Sequence, residues 1–295
     1  MTASSQKIAI IGVGYMGHGI ACNILKNGYP LRFLDHVGNQ PTEDLVAMGA
    51  SADKDIQGLG QWADVVILCV TGSPQVEDVL YKKGLLEVLG PGKTLIDCST
   101  SIPSSTLRIA QDVCAKGAQF MDAPMTRTPK EAAEGRLNLI VGSSAGLLER
   151  IKSFLQSFAE NITHAGDIGA GHQMKLIHNF VSLGFAGIFS EAAASAQVAG
   201  IKPEVFLEIL GKGGGAGVVF NRLQPYLASG DVSGFQFSLS NARKDLTYYD
   251  TMATESGAMH ELASAMRKFY EYGAQQDEAA PMPKVIDMLV KASAK

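Results

Sequence analysis

Two groups of residues in this chain have types and spacings that could do chemistry. Lys175, His178, Asn179 and Ser182 are spaced i, i+3, i+4 and i+7. On a helix those positions share one face. The surrounding stretch, 173–199, is otherwise Ala-, Gly- and apolar-rich with few charges. A polar stripe there reads as a pocket wall rather than a solvated face, since buried polar groups need partners. A lysine in such a wall is partly desolvated, which lowers its pKa and suits it to proton transfer. The second group is Gly12-Val13-Gly14-Tyr15-Met16-Gly17, a G-x-G-x-x-G run that follows a strand-like segment and opens a helix-like one. The first glycine permits the tight turn, the second lets backbone approach a pyrophosphate, and the third lets helix and strand pack closely. Asp35 closes the next strand-like run, where an acid can hydrogen-bond the ribose 2′-hydroxyl of NAD and repel the 2′-phosphate of NADP. No arginine follows it; the next residue is His36. NAD is therefore favoured over NADP.

These residues need a scaffold, and the order of elements along the chain supplies one. KIAIIGV (7–13), LRFLD (31–35), ADVVILCV (63–70), KTLIDCS (93–99) and AQFMDAP (118–124) are short apolar runs bounded by Gly, Pro or Asp. Continuous rather than alternating apolar strands mean burial on both faces, hence a parallel sheet covered by helices. RLNLIVG (136–142) and ENITHAG (160–166) read as further strands. After Gly169 no convincing strand follows, and 173–199 reads as one long helix whose small residues let neighbours approach it closely. The expected fold is an α/β Rossmann domain over 1–165, then an all-α domain over 166–295, joined by that long central helix.

Composition is that of a foldable chain with ample material for a core. Of the 295 residues, 46% are hydrophobic and 18% charged, with a formal net charge of −4. No clustered Lys and Arg offer a phosphate-neutralising face, which argues against nucleic acid. The charge-free apolar stretch from Leu176 to Ser190 contains His178 and Asn179 and is too short and polar for a membrane span. No secretory signal pattern opens the chain, so a cytoplasmic location is expected. Cys22, Cys69, Cys98 and Cys114 form no C-x-x-C pair and no metal spacing, and they read as buried reduced thiols. No metal is expected.

With these motifs in order, the chain resembles the β-hydroxyacid dehydrogenase family along essentially its whole length. GVGYMGHGIACNIL (12–25) matches the G-x-G-x-M-G-x-x-x-A-x-N-L start, and DAPMTRTPKEAAEGRL (122–137) the substrate loop D-x-P-V-S-G-x-x-x-A-x-x-G-x-L. GAGHQMKLIHN (169–179) carries G-x-G-x-x-x-K-x-x-x-N, and LSNARKDL (239–246) is similar to a pocket-lining Lys-Asp-Leu segment. The resemblance implies that Lys175 is the catalytic acid/base and that Asn179 positions it and the substrate. It implies cofactor contacts from Gly12, Gly14, Tyr15, Met16, Gly17, Asp35, Val70, Thr100 and Lys244. Substrate contacts fall to Ser99, Met125, Thr126, Arg127, Thr128, His178 and Ser182. A homodimer or homotetramer acting on a small anionic hydroxyacid or its aldehyde follows from the same resemblance.

One departure stands out. Where the family reads S-G-G, this chain has Thr126-Arg127-Thr128. Glycines would expose backbone N–H groups to a carboxylate, whereas a guanidinium offers a rigid fork of donors. Sulfolactaldehyde reductases are similar in carrying G-R-T here, and they act on a sulfonate. Arg127 is read as a substrate anchor, with a surface salt bridge or a cofactor phosphate contact as its rivals. The K-x-x-H-N run also resembles 6-phosphogluconate dehydrogenase, but Ser182 stands where that enzyme carries Glu. Imine reductases share the fold and usually lack the lysine. A non-catalytic NAD-sensing module is the alternative from another class.

Overall fold

The computed structural model describes residues 6–293. Within it the chain divides into two compact units between Lys175 and Leu176.

The first unit is built on a nine-stranded sheet. Its strands are β1 (Ile8–Ile11), β2 (Leu31–Leu34), β3 (Ser51–Asp53), β4 (Val65–Leu68), β5 (Thr94–Asp97), β6 (Gln119–Asp122), β7 (Met125–Thr126), β8 (Leu137–Gly142) and β9 (Ala159–Gly166). The helices between them are α1 (Tyr15–Lys26), α2 (Glu43–Ala47), α3 (Ile56–Trp62), α4 (Ser73–Glu77), α5 (Leu85–Val88), α6 (Pro103–Ala115), α7 (Pro129–Ala133) and α8 (Ala145–Leu155). Strand order is β3-β2-β1-β4-β5-β6-β8-β7, with β9 on β8. The first six pair in parallel in the doubly wound order, which reverses between β1 and β4. β8 then runs antiparallel to both β6 and β7. Every residue of β1, β4 and β5 is buried, as continuous apolar strands require. One apolar cluster, including Ile10, Ile20 and Phe154, fills one face, and another, including Ile11, Leu68 and Val113, fills the other.

Two strands are absent from the sequence reading. β3 is a short, largely exposed edge segment of Ser, Ala and Asp, so it lacks an apolar run. β7 has two residues and begins directly after Pro124. Its pairing with β8 turns the expected substrate loop into the mouth of a short hairpin.

The second unit contains no strand among the described residues. A single continuous helix, α9 (Ala170–Val198), leads into it. Then come α10 (Pro203–Gly211), α11 (Val218–Ser229), α12 (Leu239–Ser256), α13 (Glu261–Gln276) and α14 (Val285–Ser293). The Rossmann domain followed by an all-helical region with a long helix is thus the observed architecture. The expected boundary near 165 coincides with the end of β9, whereas the compact units part within α9. A methyl group on Gly187 would lie 3.0 Å from the Met266 sulfur of α13, so the small residues of α9 do admit a close neighbour. Leu183, Phe189, Leu223 and Tyr270 lead that unit's core, and the Tyr270 hydroxyl donates to the Leu183 carbonyl at 2.7 Å. By length and hydropathy α9 passes for a membrane span, but half of that window is buried in the fold.

Asn23 clamps the glycine-loop helix to the substrate loop. Its buried amide donates to the carbonyls of Gly19, Ala132 and Ala133, joining α1 to α7. Replacing it with alanine removes both side-chain hydrogen bonds that join α1 to α7. Asn23→Ala should therefore destabilise the protein by about 1–3 kcal/mol. Urea unfolding measures this; an unchanged midpoint would remove Asn23 from the account.

Candidate active site

The glycine loop sits where the sheet order reverses, between β1 and β4. Gly12 has φ +101°, which a side chain rarely adopts, and a Cβ there would lie 2.3 Å from the Cys69 carbonyl oxygen. A Cβ on Gly17 would lie 1.9 Å from the Gly12 oxygen, so α1 starts against the turn itself. Gly14 differs: the nearest atom to its would-be Cβ is the Gly38 oxygen at 3.8 Å. That open side, next to the unspent N–H groups of the first turn of α1, fits a pyrophosphate. Tyr15 is 72% exposed beside it, and Met16 packs against the core. Dinucleotide chemistry therefore fits the residues present.

Asp35 lies just beyond β2, its carboxylate half-exposed. The sequence shows no cation beside it, but the fold brings one: Lys54 Nζ is 3.7 Å from the Asp35 carboxylate. On the other side of the reversal, the Val70 N–H donates to Ser99 Oγ at 3.1 Å, tying together the ends of β4 and β5. Val70 also stands over Gly12. Thr100, half-buried, follows Ser99 directly.

Below this edge lies a buried polar network that sequence reasoning missed. Asp97, Asp122 and His172 are each essentially inaccessible to solvent. The Asp122 carboxylate accepts the backbone N–H of Gly169 at 2.7 Å and of His172 at 2.8 Å. Asp97 accepts the Ser99 N–H at 2.9 Å and the Ser101 hydroxyl at 3.2 Å. The His172 ring reaches the Ser99 carbonyl through Nε2 at 3.1 Å and the Thr106 hydroxyl through Nδ1 at 2.8 Å. A carbonyl can only accept, so Nε2 carries a proton. Burial raises the Asp122 carboxyl above its ordinary value, against the lowering pull of His172 and the two N–H donors. A Cβ on Gly171 would lie 2.5 Å from the Ile140 oxygen and 2.7 Å from Asp122. The G-x-G before Lys175 thus lets the start of α9 meet the sheet backbone to backbone. Lys175 follows on α9, half-buried.

The loop between β7 and α7 carries the departure from the family pattern. Met125 is buried on β7, and Thr126 Oγ1 accepts the Asn138 amide at 3.1 Å. Thr128 donates its N–H, at 2.9 Å, and its hydroxyl to Glu131, so its side chain is spent on capping α7. Arg127 is the one non-glycine residue at positive φ, +82°, among the described residues. Its family counterpart is glycine, which suits that backbone. Its guanidinium pairs with Glu160 of β9 and donates to the Arg136 carbonyl. The salt-bridge rival for Arg127 is therefore present in the structure.

In the second unit, the buried Asn179 amide donates to Asp245 of α12 at 2.6 Å, and its oxygen lies 3.0 Å from His178 Nδ1. The other Asp245 oxygen is 3.1 Å from Lys244 Nζ, which also stands over the Tyr248 ring. Asp245 was legible only as the middle of the Lys-Asp-Leu segment. The helix face 175–182 is less uniformly sheltered than its spacing suggests: His178 is exposed, Lys175 and Ser182 are half-buried, and Asn179 alone is buried.

The cysteines need correcting. Cys98 is buried and Cys69 partly so; burial together with Asp97 pushes the Cys69 thiol up to about 12. Cys22 is half-exposed and Cys114 exposed, so these two are not buried thiols. Cysteine spacing alone offers no metal set, yet the fold gathers His18, Cys22 and Asp44. Asp44 arrives from a separate helix, which no local spacing could show.

A doubly wound sheet with a glycine loop at its reversal point, followed by helices, defines an NAD-binding oxidoreductase architecture. Residues 7–166 match the family model for the NAD binding domain of 6-phosphogluconate dehydrogenase. Residues 169–288 match that for the NAD-binding region of NADP-dependent 3-hydroxyisobutyrate dehydrogenase. The chain is 33% identical to NAD-dependent L-serine dehydrogenase of Pseudomonas aeruginosa, over 90% of this chain and 91% of that one. It is 31% identical to 3-sulfolactaldehyde reductase of Escherichia coli, over 89% and 88%. A solved 3-hydroxyisobutyrate dehydrogenase from Salmonella typhimurium superposes with TM-score 0.84 at 25% identity, over 96% and 100%. The chain belongs to the β-hydroxyacid dehydrogenase family.

Asp35 and Lys54 make cofactor choice testable. With Asp35 present, like charges about 4 Å apart repel by roughly 1–4 kcal/mol between bulk water and a protein surface. Asp35→Ser leaves Lys54 in place for a 2′-phosphate. The kcat/KM ratio of NADP to NAD should then rise by about tenfold or more, and the unmodified chain should prefer NAD. A ratio unmoved by the substitution would place the 2′-position elsewhere.

Proposed function

We propose that this chain interconverts a short acidic β-hydroxyacid and its aldehyde or semialdehyde, with Lys175 as general acid/base. The observation that carries the reading is Lys175 itself. It stands half-buried on a helix whose start is pinned by Asp122 and His172. A proton-transferring amine gains from such fixed placement. The cofactor, when bound, supplies the hydride chemistry. Lys175 moves the proton at the substrate oxygen: the neutral amine accepts it on oxidation, and the ammonium returns it on reduction. Asn179, one helical turn further on, steadies that end through its own bond to Asp245. Ser99 and Thr100 border the reacting carbon, and His178 and Ser182 contribute polar groups from the same helix face.

The substrate's acid group is assigned to the loop of Met125, Thr126, Arg127 and Thr128, with the Thr126 hydroxyl and the Arg127 guanidinium as its donors, since Thr128 gives its own to Glu131 and serves by shaping the loop. Relatives named for L-serine and 3-sulfolactaldehyde support a three-carbon compound bearing a strong anion. Arg127, in place of glycine, favours a sulfonate, and sulfolactaldehyde leads the candidates. The Arg127–Glu160 pair is compatible with this because a guanidinium offers five N–H donors. A homodimer or homotetramer belongs to the same reading. Val181 and Ile188 of α9 and Ile209 of α10 are each more than 60% exposed, as subunit contacts would be. Four free cysteines accord with a reducing cytoplasm.

The experiment measures reduced nicotinamide with L-serine, 3-hydroxyisobutyrate, sulfolactaldehyde and succinic semialdehyde. It uses the unmodified chain and Arg127→Gly, a substitution that the positive φ accepts without strain. If Arg127 anchors the anion, KM for the best substrate rises about ten- to a hundredfold, matching a charged hydrogen bond of about 1.5–3 kcal/mol, and NAD binding is spared. Weaker NAD binding with unchanged KM would make Arg127 a cofactor contact. Lower stability with both constants unchanged would leave it a structural ion pair. No turnover with any hydroxyacid or aldehyde would favour the sensing module.

A further inference from the structure

His18 and Cys22 stand one turn apart on α1, and Asp44 faces them from the first turn of α2. His18 Nε2 is 3.0 Å from Asp44 Oδ1. The Cys22 sulfur is 3.7 Å from Asp44 Oδ2 and 3.8 Å from His18 Nδ1. One donor atom from each residue lies within 4.8 Å of the others. Zinc bonds of about 2.0–2.3 Å at tetrahedral angles give donor–donor edges of about 3.3–3.6 Å. Only one His18 nitrogen can bind the metal, and from separations of up to 4.8 Å the donors close to such edges by movements of about 1–1.5 Å, within the reach of side-chain rotation.

The dinucleotide loop does not explain this cluster. In the G-x-G-x-M-G-x-x-x-A-x-N-L pattern, His18 and Cys22 occupy unspecified positions. We propose that His18, Cys22 and Asp44 form a three-ligand site for a zinc-class divalent metal, with a fourth position open to solvent. Imidazole nitrogen, thiolate sulfur and carboxylate oxygen together select zinc or cobalt over calcium or magnesium, which want oxygen alone. Thiolate and carboxylate together balance the two positive charges. The thiol proton leaves to solvent as the sulfur–metal bond forms. His18, Asp44, Tyr15, Gln40, Pro41 and Glu43 line a cleft of about 480 Å³, which leaves room for a water or small anion as fourth ligand. Because Tyr15 belongs to the glycine loop, a bound metal would sit beside the first turn of α1. This site is separate from the chemistry assigned to Lys175 and stands whether or not that assignment holds.

Cobalt provides the test, because a thiolate–cobalt bond gives a charge-transfer absorption that needs no turnover. Untagged, reduced, full-length protein is stripped of metal and titrated with Co²⁺, then back-titrated with Zn²⁺. The proposal expects one equivalent of cobalt with a thiolate band that zinc abolishes. Cys22→Ser should remove the band. His18→Gln and Asp44→Asn should each weaken binding by about tenfold or more, since even outer partners of metal ligands are worth that much. Cys114→Ser, which removes the exposed thiol, should change nothing. Circular dichroism of each variant checks that the fold is kept. Absence of the band, its survival in Cys22→Ser, or unchanged affinity in both His18→Gln and Asp44→Asn would overturn the site.

Discussion

Two backbone N–H groups, those of Gly169 and His172, donate to one carboxylate that water cannot reach. Hydrogen bonds to a charged acceptor are each worth about 1.5–3 kcal/mol, against a large cost for burying the charge alone. Asp122 is at the end of β6, and its two donors bracket the first turn of α9. The helix that carries Lys175 therefore starts where the sheet ends. Its first turn is held by a group that cannot be removed without leaving orphan donors. The His172 ring extends the tie to β5 through the Ser99 carbonyl and to α6 through Thr106. Ser99 in turn reaches Val70 beside the glycine loop. One continuous set of short polar contacts thus runs from Val70, which stands over Gly12, to the first turn of the lysine helix, all within the first unit.

Close backbone approach is the second theme, and it explains why glycines recur at the motifs. Gly17 meets the Gly12 carbonyl, Gly171 meets the Ile140 carbonyl, and a Cβ on Gly19 would lie 2.5 Å from the Ala132 backbone. Any side chain at these points would push a helix off the sheet or off its neighbour. Asn23 turns the third of these approaches into a hydrogen-bonded clamp on α7, and so fixes the far end of the 125–128 loop. Arg127 is the exception: it keeps a glycine-like backbone while carrying a long charged side chain. Such a conformation costs on the order of 1–3 kcal/mol and persists only where surroundings hold it, here through Glu160 and the Arg136 carbonyl.

Much of this was legible in the residues alone. Unbroken apolar runs such as 7–13 and 63–70 announced a parallel sheet because burial on both faces leaves no room for alternation. The loss of strand signals after Gly169 marked the helical part, and glycine spacing marked the cofactor loop. What stayed hidden is polar and distant in sequence. Asp97, Asp122 and His172 lie far apart along the chain, and nothing in their local spacing says they meet. Asp122 was visible as part of a loop motif, and His172 as the residue after a glycine, but their roles needed the fold. Lys54 and Asp44 were hidden for the same reason, since each comes from an element other than the one it serves. The spacing of His178 put it on the lysine face, yet exposure rather than spacing decides what a side chain sees.

The central claim is that Lys175 transfers the proton while other groups hold cofactor and substrate. Single-turnover hydride transfer in Lys175→Ala, measured beside NAD affinity, addresses it directly. The account predicts a rate lower by about 10²–10⁴-fold, the usual worth of a positioned acid or base, with NAD affinity essentially unchanged. A near-normal rate in that variant would contradict it.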